Sequence, residues 1–227
     1  MTVDYINNSN QRTPCLLVLD ASYSMGTMTS SGKTRMDELN AGLVQFENAL
    51  KQDDTALSRV QISIVVVGGP SNSAELMLDW TDAVTFEAFP IKAEGQTPLA
   101  EGLDLGLKMI ELVKNNLKML GISYTRPWMI VISDGEPTSA QVAWQDAIEK
   151  TRLSEKNGRV EIFSIGVEGA DLKKLSEISS RPALRLSGMK FKELFVWLSE
   201  SLSAVSRSRP GQEARLPDTD PWKNVGI

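Results

Sequence analysis

Apolar residues follow two rhythms along this chain. Four runs, at 15–20, 61–69, 128–134 and 160–165, are dense in Val, Ile and Leu and scarcely alternate with polar positions. Such runs predict strands covered on both faces, as in a parallel sheet. Between them, apolar residues return every three or four positions, the period of a helix with one buried face. Met36, Leu39, Leu43, Phe46 and Leu50 predict a helix over 33–52. Leu99, Leu103, Leu107, Ile110, Val113 and Leu117 predict another over 98–119. Phe191, Leu194, Phe195, Leu198, Leu202 and Val205 do the same over 190–206. Further helices fall at 139–156, stopped by Asn157-Gly158, and at 171–178. Shorter strands at 75–80 and 183–186 complete the pattern, the first a predicted sheet edge after a tight turn at Gly69-Pro70. Residues 1–14 read as a loose polar lead-in, and Asp53-Asp54 as a solvated helix end.

Strands that alternate with helices imply parallel strands joined by crossover helices. The fold class is therefore α/β, a doubly wound, Rossmann-like, mostly parallel sheet flanked by helices. The 227 residues suit one large domain, and no linker interrupts 1–206. Residues 207–227 carry three prolines and little periodicity, which predicts an extended tail packed on that domain with Trp222 as its anchor.

Composition narrows the function. The chain has a net charge of −5 and no basic block, which argues against nucleic acid. No apolar run nears the roughly 20 residues that span a membrane, and the first residues lack the pattern of a secretion signal. The single cysteine, Cys15, excludes an internal disulfide and fits a reducing compartment. The sequence contains no histidine, which removes the Ser-His-Asp triad, the Cys-His pair and the histidine zinc site.

Candidate chemistry lies where the apolar runs end. The first passes into Asp20, Ser22 and Ser24 at alternate positions. In extended chain, residues two apart point the same way, so one carboxylate and two hydroxyls can share a point. That donor set is all oxygen and suits Mg²⁺ or a similar hard cation. Asp and Ser after a strand are also ordinary turn and capping residues. The fourth strand in chain order, 128–134, runs into Asp134. In a doubly wound sheet this strand lies beside the first, at the crevice where ligands bind, so the two acids meet there. Thr97, before Pro98, has two readings. It either caps the following helix or offers a hydroxyl to the same edge.

Asp20-x-Ser22-x-Ser24, Thr97 in Gly-x-Thr-Pro and Asp134 in Ser-Asp-Gly-Glu-Pro-Thr together resemble the metal-ion-dependent adhesion site (MIDAS) of von Willebrand factor A (vWA) domains. The text around Arg126-Pro127-Trp128, Gly166 to Asp171 and Phe191 to Leu202 is similar to the bacterial tellurite-resistance Y (TerY) type of that family. Tyr23 stands where many members have Gly, which sets an aromatic ring on the rim. The resemblance implies binding and no enzymatic turnover, with Mg²⁺, or Mn²⁺ or Ca²⁺ in its place. In such sites Ser22, Ser24 and at times Thr97 touch the metal directly, while Asp20 and Asp134 act through water. A partner protein then supplies Asp, Glu or phosphate. The resemblance also implies a cytoplasmic bacterial adaptor in tellurite resistance, stress or kinase–phosphatase signalling, with a Ser/Thr kinase or PP2C-type phosphatase as a candidate partner.

Three alternatives stand beside this. Gly32-Lys33-Thr34 ends like a nucleotidase phosphate loop, but the required glycine falls at Thr27 and Gly26 is one residue early. A Mg²⁺-dependent phosphatase could use Asp20 as nucleophile, but the second acid of that motif is Ser22 here. A scaffold whose metal site is idle is the third.

Overall fold

β1 (Thr13–Ala21) is buried at every residue. A strand this apolar is stable only when both faces and both edges are covered. Its edges pair in parallel with β2 (Val60–Gly68) and β4 (Trp128–Ser133), so that Leu17 lies between Ile64 and Ile130. Its faces divide by alternation. Cys15, Leu17, Leu19 and Ala21 enter one core and Leu16 and Val18 the other, as the two-residue period of a strand requires.

The structure is a computed structural model and describes residues 10–29, 31–186, 190–207 and 216–218. Its sheet has the order β3-β2-β1-β4-β5-β6. β5 (Glu161–Gly166) and β6 (Leu184–Arg185) continue it in parallel. β3 (Ser73–Asp82) closes the other edge as an antiparallel strand, with register shifts opposite Ile62 to Val65. The fold is the doubly wound α/β class expected from the alternation of elements.

α1 (Arg35–Gln52), α2 (Asp54–Arg59) and α6 (Phe191–Arg207) cover one face, and α3 (Leu99–Met119), α4 (Gln141–Lys156) and α5 (Leu172–Leu175) the other. Close approach is built with glycine. A Cβ at Gly42 would come within 2.6 Å of the Phe195 ring, which seats α6 against α1. A Cβ at Gly102 would run into Val67, which presses α3 onto the sheet.

Several expectations need correction. Asp53 is no solvated helix end. Its Oδ1 accepts from the backbone N–H groups of Thr55 and Ala56 at 2.9 and 2.8 Å, which starts α2. Its Oδ2 accepts from Ser203 and Arg207 of α6, each at 2.8 Å. The lead-in is not loose at its end: Arg12 is fully buried, and its Nη1 donates to the Ser58 carbonyl at 2.9 Å. The helix expected over 171–178 is only the four residues of α5, because the chain turns to seat Ile178 in the core. Leu107 is only partly buried, and Gly106 takes the place nearest the sheet, against Leu16 and Met129. At the far end, Leu216 packs on the α1–α6 core, and Trp197 Nε1 donates to the Pro217 carbonyl at 3.0 Å. Trp222 lies outside the described residues. Among the described residues, no helix is long and apolar enough to cross a membrane.

Candidate functional site

β1 and β4 are neighbours in a sheet whose next crossovers leave on opposite faces, so a crevice opens beyond their C-terminal ends. Asp20 stands at the end of β1 and is fully buried. Its Oδ1 accepts from the Ser22 backbone N–H at 2.9 Å, and its Oδ2 from the Ser133 hydroxyl at 2.6 Å. Burial and the charge of Asp134 push the Asp20 carboxyl up to about 6, against the pull of its bonds from Ser133 and Ser22. The two acids from distant sequence therefore face each other closely enough to repel.

Ser22 remains extended, with φ −65° and ψ 166°, before the chain tightens into a 3₁₀ turn, Tyr23–Gly26. The Ser22 side chain caps nothing there. Its hydroxyl instead meets that of Ser24 at 2.9 Å, while Tyr23 between them is 71% exposed. The chain is therefore not extended through Ser24 as expected, yet the two hydroxyls still meet and the intervening ring is exposed.

Asp134 follows β4 and is buried. Its Oδ1 accepts from the Glu136 N–H at 3.3 Å, and its carbonyl accepts from the Asp171 N–H at 2.8 Å. Thr97 joins the same loop. Its N–H donates to Thr138 Oγ1 at 3.1 Å, and the Thr138 N–H returns to the Thr97 carbonyl at 2.9 Å. α3 begins at Leu99 after Pro98, whose ring supplies no cap, and the Ser139 hydroxyl accepts from the Ala100 N–H at 3.1 Å instead. Ser139 and not Thr97 therefore caps it, and the buried Thr97 makes its hydrogen bonds to Thr138 through its backbone.

Residues 16–195 match the family model of the von Willebrand factor type A domain. The chain belongs to the vWA family. Its members are often protein-binding or adhesion modules. Among solved structures, the vWA domain here resembles the pilus adhesin SpaC of Lactobacillus rhamnosus GG, with a TM-score of 0.69 and 14% identity over 87% of this chain and 32% of that one. It also resembles the vWF domain of the type V pili tip protein Mfa5 of Porphyromonas gingivalis, with a TM-score of 0.62 and 11% identity over 88% and 98%. Proximal thread matrix protein 1 of the mussel byssus follows at 0.55 and 15%, over 88% and 47%. The chain thus spans about a third of SpaC and about half of the byssus protein. At these identities the likeness is one of fold. No curated protein matches the chain significantly.

The donors of the vWA strand ends fit a hard cation. Two buried carboxylates end neighbouring strands, and the hydroxyls of Ser22, Ser24 and Thr97 stand at the same edge. Among the described residues, no three His, Cys, Asp or Glu side chains gather to hold a metal, so ligation here would rest largely on neutral oxygens. A hollow of about 580 Å³ lies elsewhere, between α4 and the loop after α5, but its two arginines are committed. Arg152 donates to the carbonyls of Glu177 and Ser176, and Arg181 pairs with Glu155 and Glu161.

The sequence reading missed two residues. Ser133 was absorbed into a strand, though a hydroxyl closing an otherwise apolar run was its visible signal. Arg35 had no signal, because Asp134 and Gly169, which its side chain meets, lie far away in sequence. The Gly32-Lys33-Thr34 stretch serves α1 instead of a phosphate: Thr34 Oγ1 accepts from the Asp37 N–H, and Asp37 accepts from the Thr34 N–H, each at 3.0 Å.

Proposed function

We propose that this vWA domain is a protein-binding module with a complete MIDAS, formed by Asp20, Ser22, Ser24, Thr97 and Asp134, and that it binds Mg²⁺, with Mn²⁺ or Ca²⁺ as substitutes. One observation carries the reading: two buried carboxylates end adjacent central strands beside the paired hydroxyls of Ser22 and Ser24. Both Asp20 oxygens already accept protein hydrogen bonds, which favours an outer, water-mediated role for that residue. Ser22, Ser24 and Thr97 would then be the direct ligands. Bound among neutral oxygens, a divalent cation remains poorly neutralised and attracts an anion from outside. An Asp, Glu or phosphate of a partner completes the set, and Tyr23 and Met28, 71% and 63% exposed, border the turn as apolar contacts.

The role is binding and not turnover. Asp20 is fully buried with both oxygens engaged, a poor disposition for a phosphatase nucleophile. The similarity of the sequence to the TerY type favours a cytoplasmic adaptor in tellurite resistance, stress or kinase–phosphatase signalling, with a Ser/Thr kinase or PP2C-type phosphatase as partner. Nothing in the donor set is suited to tellurite itself.

Titration calorimetry with Mg²⁺ on the wild type and Asp134→Ala tests the site, and capture of partner proteins in Mg²⁺ against EDTA tests its use. The expected result is Mg²⁺ binding lost in the variant and partners retained only with Mg²⁺. Partners held equally in EDTA would leave a scaffold with an idle site.

A further inference from the structure

α1 opens on Arg35, whose N–H donates to the Thr27 carbonyl at 3.1 Å. Its side chain does not extend into solvent, where a residue in the first turn of a helix ordinarily finds room. It turns toward the strand ends and is only 16% exposed. Nη1 donates to the Ser24 carbonyl at 3.3 Å and stands 3.9 Å from Asp134 Oδ2. Nη2 lies against Gly169, where a Cβ would come within 3.1 Å of it. One guanidinium thus joins three loops: the turn that carries Ser24, the loop after β4 that carries Asp134, and the loop after β5.

An ordinary surface ion pair does not describe this arrangement. The Asp134 side chain is 6% exposed, and the arginine is also bonded to the backbone of a proposed ligand residue. Yet the 3.9 Å separation is too long for a hydrogen bond, so charge alone holds Asp134 Oδ2 to Arg35. The carboxylate has a fixed positive charge beside it, while its Oδ1 accepts from Glu136 and its Oδ2 makes no hydrogen bond to the arginine.

We infer that Arg35 is the resident counter-ion of the site and sets its affinity for metal. The inference rests on the proposed metal-binding reading. With no metal bound, Arg35 offsets one of the two negative charges of Asp20 and Asp134. A divalent cation placed among the same oxygens meets a fixed positive charge beside Asp134, so Arg35 opposes its entry. The loaded site then carries one excess positive charge, counted over Asp20, Asp134, Arg35 and the cation. Arg35 thereby trades intrinsic metal affinity for a stronger demand for an anionic ligand from outside.

The test uses Arg35→Gln and Arg35→Met, which remove the charge while keeping length, and Arg35→Lys, which keeps it. Two neutral variants are included so that a folding defect in one leaves the other to decide. Mg²⁺ affinity is measured by calorimetry, and thermal unfolding is followed in EDTA. The neutral variants should bind Mg²⁺ about tenfold more tightly than the wild type and melt earlier in EDTA, with the lysine variant close to wild type. Wild-type binding of Mg²⁺ with neutral variants no tighter overturns this inference alone. Absence of Mg²⁺ binding in the wild type and in every variant overturns the metal reading and the inference with it.

Discussion

The Ser133 hydroxyl donates to Asp20 Oδ2 at 2.6 Å and accepts from the Gly135 N–H at 3.0 Å. This buried relay joins the C-terminal ends of β1 and β4 and fixes the carboxylate at the mouth of the crevice. Ser133→Ala removes the donor and leaves both a charged oxygen and a buried N–H short of a partner. Such losses cost about 1–3 kcal/mol. Urea unfolding in EDTA should show that decrease, and calorimetry should show weaker Mg²⁺ binding. A variant as stable as the wild type would mean that water replaces the serine.

Thr97 separates a capping role from a ligand role. Loss of a capping threonine typically costs about 1 kcal/mol, but here the hydroxyl caps nothing. Thr97→Val should therefore leave the urea midpoint in EDTA near that of the wild type and weaken Mg²⁺ binding. A clear loss of stability in EDTA with metal affinity unchanged would return Thr97 to the service of α3.

Asp20 makes the metal-free protein sensitive to pH. Its carboxyl is raised from 3.8 in the unfolded chain to about 6, chiefly by burial and next by Asp134. The folded state thus holds a proton that the unfolded state has released. Stability from this group is fully present below pH 3.8 and is lost as pH rises through about 6. At full weight the difference is about 3 kcal/mol. Asp20→Asn imitates the protonated form. In EDTA, the advantage of the variant over the wild type in urea should widen from pH 4 to pH 7 and then level off. Parallel curves would contradict the assignment.

Gly102 couples packing to the site. It lies in the first turns of α3, close behind Thr97, and a Cβ there would strike Val67 Cγ2 and come within 3.3 Å of Val18 Cγ1. Both valines belong to central strands that cannot yield independently. Gly102→Ala should cost about 1–3 kcal/mol, the usual penalty of overpacking, and should weaken Mg²⁺ binding by shifting Thr97. Unchanged stability in urea would show that α3 can lift from the sheet.

Much of the fold was legible because burial imposes a local period. The unbroken apolar runs specified β1, β2, β4 and β5, and the three- and four-residue stripes specified α1, α3 and α6, each a pattern that neighbouring residues supply by themselves. The reading failed where a partner from elsewhere decides. Asp53 looked like a solvated end because Ser203 and Arg207, which bond it, are about 150 residues away in sequence. The last turns of the helix expected over 171–178 gave way to a turn that seats Ile178 in the same core as Leu175.

The candidate site divides in the same manner. The sequence alone determined which oxygens stand at the ends of β1 and β4, since strand ends and alternation are local properties. It placed Asp20, Ser22, Ser24, Thr97 and Asp134 on one edge through the crossover rules of a doubly wound sheet. Only the tertiary structure decided what those groups are doing before any ligand arrives. The Ser133 bond to Asp20, the Ser139 hydroxyl on the first turn of α3 and the Arg35 guanidinium beside Asp134 are distances between residues remote in sequence. Hydrogen bonds and charges act over a few ångströms, and no period in the chain encodes which distant groups come within that range.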